Sequence, residues 1–105
     1  MQVKDKVCVV TGGASGIGKA LCERFAAEGA RSIVVVDRNG DGAASVAEAV
    51  GGRAEVVDVA SEADLTSMLE SVENDLGPID LLCNNAGIAS GGDPLEVPID
   101  EWQRQ

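Results

Sequence analysis

An α/β fold built on a doubly wound parallel sheet is predicted by three features of the 105-residue sequence. Short apolar runs alternate with stretches in which apolar residues recur at helical spacing. A glycine-rich turn joins the first apolar run to the first helical stretch. The chain is 45% hydrophobic but only 2% aromatic. That composition favours small aliphatic residues packed between helices and parallel strands over a β-sandwich.

Each predicted element has its own local signal. The strands are continuous apolar runs, as expected for strands that are buried on both faces. The helices are followed by glycines that can end them, at Gly29, Gly51 and Gly77. The predicted elements are strand one at about 6–10, helix A at about 16–28, strand two at 33–36 ending on Asp37, helix B at about 42–50, strand three at 54–57, helix C after a capping box at 61–64 and up to 76, and strand four at 79–83.

The apolar stripes also predict which helix positions face the sheet. Apolar residues that recur three or four positions apart lie on one side of a helix. The predicted buried positions are Ile17, Ala20, Leu21 and Phe25 in helix A, Ala43, Val46, Ala47 and Val50 in helix B, and Leu65, Met68, Leu69, Val72 and Leu76 in helix C.

The element order β-α-β-α-β-α-β predicts how the sheet is wound. Connections of this length suit parallel crossovers, and such crossovers are right-handed. The strand order is then 3-2-1-4, within a single domain that covers residues 1–105. A last segment, from about residue 98 to 105, is expected to begin another helix.

The three cysteines are interpreted as buried structural residues, since none forms a Cys-x-x-Cys pair. Cys8 and Cys83 fall in predicted buried strands, and Cys22 falls in helix A beside apolar residues. Small buried hydrophobes are the favoured interpretation over reactive thiols. The sequence therefore predicts a reducing compartment and a cytoplasmic protein.

The charge of the chain argues against two classes of partner. Eighteen acidic residues face eight basic ones, for a net charge of −10. Nucleic acids and anionic membrane surfaces are bound by clustered Lys and Arg, so we expect neither as a partner. No apolar run approaches the ~20 residues that span a bilayer. The first residues also lack the apolar core of a signal peptide.

A phosphate-binding turn is predicted at residues 11–18, the glycine loop. A turn between a strand and a helix presents backbone N–H groups and a positive helix end to an anion. Gly12 is predicted to turn the chain, and Gly16 to let a pyrophosphate approach the backbone. Gly18 is predicted to let helix and strand pack closely.

Two aspartates follow neighbouring strands of the predicted sheet. Asp37 ends strand two, where a carboxylate can accept hydrogen bonds from both hydroxyls of an adenosine ribose. It would also repel a 2′-phosphate, which favours NAD over NADP, although Arg38 could pair with that phosphate. Asp58 ends strand three and could accept from the adenine amino group. A helix cap or a turn is the alternative role for both aspartates.

These motifs together resemble the N-terminal half of the short-chain dehydrogenase/reductase family. They are Thr-Gly-x-x-x-Gly-x-Gly at 11–18, Asp37, Asp58-Val59 and Asn84-Asn85-Ala86-Gly87, and the similarity runs from about residue 4 to 102. The resemblance implies a Rossmann-type fold and hydride transfer between a nicotinamide dinucleotide and a small-molecule alcohol or ketone. It also implies that the parent protein is a homo-oligomer.

The resemblance assigns a part of the cofactor to each motif. The implied contacts are Gly12, Ser15, Ile17 and Gly18 at the pyrophosphate, Asp37 at the adenosine ribose, Asp58 and Val59 beside adenine, and Asn85, Ala86 and Gly87 along the cofactor. Asn84 is implied mainly to brace the central sheet. No metal ligand and no catalytic residue is assigned.

The family's proton-transfer residues cannot be placed on this sequence. They are a Tyr-x-x-x-Lys pair, a Ser before it and an Asn on the fourth helix, and the sequence contains no tyrosine. We therefore expect a truncated, cofactor-binding portion of an enzyme that is inactive by itself, with strand four left as an unpaired apolar edge. The alternatives are a non-catalytic NAD-binding module and a partly folded fragment.

Overall fold

The computed structural model describes residues 3–58, 60–85 and 96–98 of the chain, the last three by their backbone. The described part folds into a mixed sheet with helices on both faces. Its elements are β1 (Val7–Thr11), α1 (Gly16–Ala27), β2 (Ser32–Asp37), α2 (Gly40–Val50), β3 (Arg53–Val56), α3 (Glu62–Leu76), β4 (Leu81–Asn84) and β5 (Glu96–Pro98).

The sheet has the strand order β3-β2-β1-β4-β5, and its first four strands are parallel. In the register of the central strand, Val9 lies between Val34 of β2 and Leu82 of β4. The predicted order 3-2-1-4 is therefore confirmed, and with it the α/β fold class. The observed bounds differ from the predicted ones by no more than two residues.

Strand β4 has a partner on its outer side. The short strand β5 pairs with it in antiparallel orientation, with Leu82 opposite Val97. The prediction that strand four is an unpaired edge is therefore wrong, because the unbonded N–H and C=O groups of an edge strand accept a further strand. The helix expected over 98–105 lies outside the described residues except for Pro98, which ends β5.

Both faces of the sheet are buried, which explains why the strands are continuous apolar runs. Successive side chains of β1 point to opposite faces. Cys8 and Val10 pack in the cluster that α1 and α2 cover, whereas Val7 and Val9 pack in the cluster that α3 covers. Every residue of β1 is at most 2% exposed.

Helix α1 buries a face that matches the predicted one only in part: Phe25 is buried as predicted, but Ile17 and Ala20 are not. Its buried residues are Gly18, Cys22 and Phe25, while Ile17 is 49% exposed. Ala20 is also exposed, and Leu21 is half-buried. The close approach of α1 at a glycine sets this rotation, and an apolar-residue pattern does not count glycine as a buried position.

The other two helices bury the predicted stripes. The buried residues are Ala43, Val46 and Ala47 in α2 and Met68, Leu69 and Val72 in α3, with Val50, Leu65 and Leu76 partly buried beside them. Helix α2 begins two residues earlier than predicted, because the Asn39 side chain accepts a hydrogen bond from the Gly42 N–H and caps it. Helix α3 begins as predicted, with Ser61 accepting from the Asp64 N–H at 3.4 Å.

The three cysteines are all buried, with no exposed surface. Burial is the main reason that the pKa of the Cys22 thiol is raised from 9.0 to about 11, and nearby Cys8 and Glu23 raise it too. The thiol of Cys22 therefore stays protonated at neutral pH. It packs as a small hydrophobe between α1 and the sheet, as the sequence predicted.

The outer edge at β3 is short and carries paired charges. Arg53 donates a hydrogen bond from Nε to Glu55 and another from Nη1 to Asp75 of α3, both at 2.7 Å. The two hydrogen bonds raise the pKa of the Arg53 guanidinium above its usual value. They also tie the edge strand to α3, and charged side chains on a short edge strand discourage further pairing.

Candidate functional site

The glycine loop connects the end of β1 to the start of α1 at the carboxyl edge of the sheet. Gly12 has a φ of 66°, so it turns the chain in a conformation that favours glycine, as predicted. The next residue ties the loop to the neighbouring strand, since the Gly13 N–H donates to the Val36 carbonyl at 3.0 Å. The loop therefore lies directly beside the end of β2.

The carbonyl oxygen of Gly12 accepts three hydrogen bonds. Two come from Ser15, from its backbone N–H at 3.1 Å and from its hydroxyl at 2.7 Å. The third comes from Nδ2 of Asn85, at the end of β4, at 3.1 Å. One backbone oxygen thus joins the loop, the cap of α1 and the end of β4.

Three glycines of the loop differ in the space around them. A Cβ on Gly18 would lie 2.8 Å from the carbonyl carbon of Gly12, so the close packing it permits is against the loop backbone. A Cβ on Gly13 would lie 2.6 Å from Cγ1 of Val35, a constraint that sequence reasoning missed. A Cβ on Gly16 would meet nothing within 4 Å, so the loop is open on that side.

Ser15 caps helix α1, and its hydroxyl is a centre of the loop's hydrogen bonding. It accepts from the Gly18 N–H at 3.2 Å and from Nδ2 of Asn85 at 2.8 Å. The next two N–H groups, of Gly16 and Ile17, belong to the first turn, where helix geometry provides no intrahelical acceptor. Those N–H groups and the positive end of α1 can bind an anion.

Asp37 lies against the glycine loop. Its Oδ2 accepts a hydrogen bond from the Ala14 N–H at 3.0 Å, and its Oδ1 accepts from the Asn39 N–H at 3.0 Å. The carboxylate is half-buried, and Arg38 beside it in sequence is exposed. The structure therefore brings the predicted ribose acceptor and the predicted phosphate loop together.

Asp58 is exposed and bonds within its own turn. Its Oδ1 accepts from the Ala60 N–H at 2.9 Å, and its carbonyl accepts from the Ser61 N–H at 2.9 Å. This turn leads into α3, so Asp58 has the turn role that the sequence analysis gave as the alternative to binding adenine. The Val57 N–H donates to the Asp37 carbonyl at 3.3 Å, which holds the ends of β2 and β3 side by side.

The two asparagines at the end of β4 contact different elements. Asn84 accepts at Oδ1 from the hydroxyl of Thr11 at 3.1 Å, and that hydroxyl also lies 3.3 Å from the Cys83 carbonyl. These contacts brace β4 against β1, as expected for Asn84. Sequence reasoning assigned no role to Thr11, although a buried hydroxyl at a strand end needs a partner. Asn85 instead contacts the glycine loop.

Three of the predicted cofactor residues, Val59, Ala86 and Gly87, lie outside the described residues. Within the described ranges, no group of three His, Cys, Asp or Glu side chains could hold a metal ion. No helix in that same part of the chain has both the length and the apolar character needed to cross a membrane.

A cleft of about 220 Å³ lies at the opposite, amino edge of the sheet, between Arg31, Gly52 and Arg53. Both of its guanidinium groups have protein partners. Arg31 donates to the Leu76 carbonyl at the end of α3, and Arg53 donates to Glu55 and Asp75. The cleft therefore offers a ligand no free guanidinium group. The carboxyl edge of the sheet instead offers the first-turn N–H groups of Gly16 and Ile17.

The family model for short chain dehydrogenases matches residues 6–105. The chain belongs to the short chain dehydrogenase family. It is 40% identical to meso-2,3-butanediol dehydrogenase of Serratia marcescens, over 99% of this chain and 42% of that protein. It is 34% identical to the NADP-dependent (R)-specific alcohol dehydrogenase of Lentilactobacillus kefiri, over 98% of this chain and 42% of that protein.

A solved structure matches the chain as well. The crystal structure of 3-ketoacyl-(acyl-carrier-protein) reductase from Brucella melitensis, complexed with NADH, has a TM-score of 0.72 and 35% identity. The match covers 76% of this chain and 33% of that one, so the chain spans less than half the length of these relatives. The predicted family and the Rossmann-type fold are confirmed. The family comprises oxidoreductases that use a nicotinamide dinucleotide.

Proposed function

We propose that this chain is the cofactor-binding portion of an NAD(H)-dependent oxidoreductase that acts on a small-molecule alcohol or ketone. The observation that supports it best is the 3.0 Å hydrogen bond between the Asp37 carboxylate and the Ala14 N–H of the glycine loop. The group that would hold a ribose and the loop that would hold a pyrophosphate form one continuous surface. NAD, when bound, would supply the hydride acceptor.

The pyrophosphate would be held by the start of α1. The N–H groups of Gly16 and Ile17 are the donors of its first turn, and the positive helix end adds to their attraction for an anion. Gly12 and Gly18 give the loop its shape, and the open space at Gly16 would admit the phosphates. This binding needs no basic side chain, which suits a chain with a net charge of −10.

The ribose would be held by Asp37. Each oxygen of its carboxylate accepts one backbone N–H and keeps a lone pair for a further donor. Those two lone pairs match the 2′- and 3′-hydroxyls of the adenosine ribose. A 2′-phosphate would place negative charge beside the carboxylate, so we propose NAD rather than NADP as the cofactor. The relatives include one protein named as NADP-dependent and one complexed with NADH.

The remaining cofactor contacts follow the order of the strands. We propose Asp58 and Val59 beside adenine and Asn85, Ala86 and Gly87 toward the nicotinamide half. The sequence contains no tyrosine and no histidine, so no residue of this chain is assigned to proton transfer. The three buried cysteines support the proposal of a reducing, cytoplasmic compartment.

Calorimetric titration of the chain with NAD tests this proposal. We expect one site per chain, and competition by ADP-ribose, because the adenosine ribose and the pyrophosphate supply the proposed contacts. Nicotinamide mononucleotide should compete weakly, since it lacks both the adenosine ribose and a pyrophosphate. A chain with a cooperative thermal transition that binds neither NAD nor ADP-ribose would refute the proposal.

A further inference from the structure

Asn84 and Asn85 are neighbours with opposite hydrogen-bonding roles. Asn85 donates from Nδ2 to the Gly12 carbonyl at 3.1 Å and to the Ser15 hydroxyl at 2.8 Å. Asn84 accepts at Oδ1 from the Thr11 hydroxyl at 3.1 Å. A peptide carbonyl only accepts hydrogen bonds, so Asn85 must face Gly12 with its NH₂ group.

The Nδ2 group of Asn85 supplies the last hydrogen bond that the Ser15 hydroxyl can make. A serine hydroxyl has one proton and two lone pairs. The proton is donated to the Gly12 carbonyl, and the lone pairs accept from Gly18 N–H and from Asn85. In this arrangement the hydroxyl has no proton left for a phosphate. Its bonds shape the loop instead, and the first-turn N–H groups of Gly16 and Ile17 are left to contact the ligand.

The position of Asn85 is also buried, with 7% of the residue exposed. Loss of its Nδ2 donors would leave the Gly12 carbonyl with only the two hydrogen bonds from Ser15. Gly18 packs against the same peptide group, where even a Cβ would not fit. A shift of the Gly12 peptide would therefore displace the first turn of α1.

We infer that Asn85 is the positioning residue that holds the glycine loop in its ligand-binding shape, and that it acts as a hydrogen-bond donor. Its effect on NAD binding rests on the proposed function; its effect on the loop does not. The inference gives Asn85 a role through Ser15 and Gly12, in addition to the proposed contact along the cofactor.

The substitution Asn85→Asp tests the polarity of the contact. An ionised carboxylate accepts but cannot donate, so it would face the Gly12 carbonyl with like partial charge. A protonated carboxyl regains one donor, and burial beside a carbonyl favours that neutral form. We expect NAD affinity to fall about tenfold at about pH 7.5 and to recover in part at about pH 5.

The substitution Asn84→Asp is the matched control. It adds the same charge at the neighbouring position but keeps an oxygen that accepts from Thr11. Its NAD affinity should therefore stay within about twofold of the unaltered chain at both pH values. The charged side chains of the adjoining elements, Asp37 at the end of β2 and Lys19, Glu23 and Arg24 on α1, are unchanged in both variants.

Amide NMR spectra of the free chain provide a readout that needs no cofactor. The backbone N–H groups of Ser15 and Gly18 bond to the Gly12 carbonyl and the Ser15 hydroxyl. In Asn85→Asp, both amide signals should shift with a common titration midpoint as the new carboxyl ionises. In the unaltered chain and in Asn84→Asp, they should stay constant over the same pH range.

The variant Asn85→Ala covers the case in which Asn85→Asp does not fold. It removes both donors without adding charge, so NAD affinity should fall about tenfold at every pH. Equal losses in Asn84→Asp and Asn85→Asp, or wild-type affinity and constant loop amides in both Asn85 variants, would overturn the inference. If the unaltered chain binds no NAD, the proposed function fails, and the loop amides still decide the role of Asn85.

Discussion

Replacing Gly18 with alanine is expected to weaken NAD binding strongly. The new Cβ would lie 2.8 Å from both the carbonyl carbon of Gly12 and the Cα of Gly13, and these backbone atoms cannot rotate away. Either α1 or the loop must move, and the first turn of α1 holds the proposed pyrophosphate donors that the loop keeps in place. Overpacking of this kind costs about 1–3 kcal/mol, so we expect NAD affinity to fall about 100-fold.

The thermal stability of Gly16→Ala is the control for this substitution. It also replaces a loop glycine by alanine, but its Cβ would meet nothing within 4 Å. We expect the melting temperature to be maintained in Gly16→Ala and to fall by several degrees in Gly18→Ala, as ~1–3 kcal/mol implies for a domain of this size. A Gly18→Ala chain with wild-type stability and NAD affinity would contradict the loop geometry.

The substitution Asp37→Asn is expected to change the ratio of NAD affinity to NADP affinity, and this is the second large effect. The amide is the same size and keeps one oxygen that can accept a backbone N–H, but it has no charge. NAD affinity should fall about tenfold, because a ribose hydroxyl loses a charged acceptor. NADP affinity should rise, because its 2′-phosphate no longer faces a carboxylate and Arg38 is adjacent in sequence.

Calorimetry with both cofactors measures this change as a ratio. We expect the preference for NAD over NADP to change by about 100-fold in Asp37→Asn. The exposed Glu48→Gln in the last turn of α2 removes the same charge far from the loop, and its ratio should stay constant. An unchanged ratio in Asp37→Asn would show that Asp37 is a turn residue and does not contact the ribose.

The fold could be predicted because burial on both faces leaves an unambiguous pattern. Four apolar runs separated by helical stripes allow few arrangements once right-handed crossovers are required. The face of α1 could not be predicted the same way. The buried face of α1 begins at Gly18, which contacts the loop, and continues through Cys22 and Phe25. The apolar pattern placed Ile17 on that face, but Ile17 is exposed.

The position of the candidate site could be predicted from the sequence, but the contacts of its side chains could not. Parallel strands end at one edge, which put Asp37, Asn85 and the glycine loop together before any distance was known. The residue types alone could not distinguish Asn84 from Asn85, because both are amides at the same strand end, and only the family resemblance gave them different roles. Successive residues of a strand point to opposite sides, so one amide reaches Thr11 of β1 and the other reaches the glycine loop.

A map of amide NMR shifts, recorded as NAD is added to the chain, tests most directly whether the glycine loop and the Asp37 carboxylate bind one dinucleotide together. We expect the amides of Ala14, Gly16, Ile17 and Asn39 to shift most, and with the same saturation curve. Saturable shifts centred on the cleft between Arg31 and Arg53, with the loop amides unmoved, would contradict it.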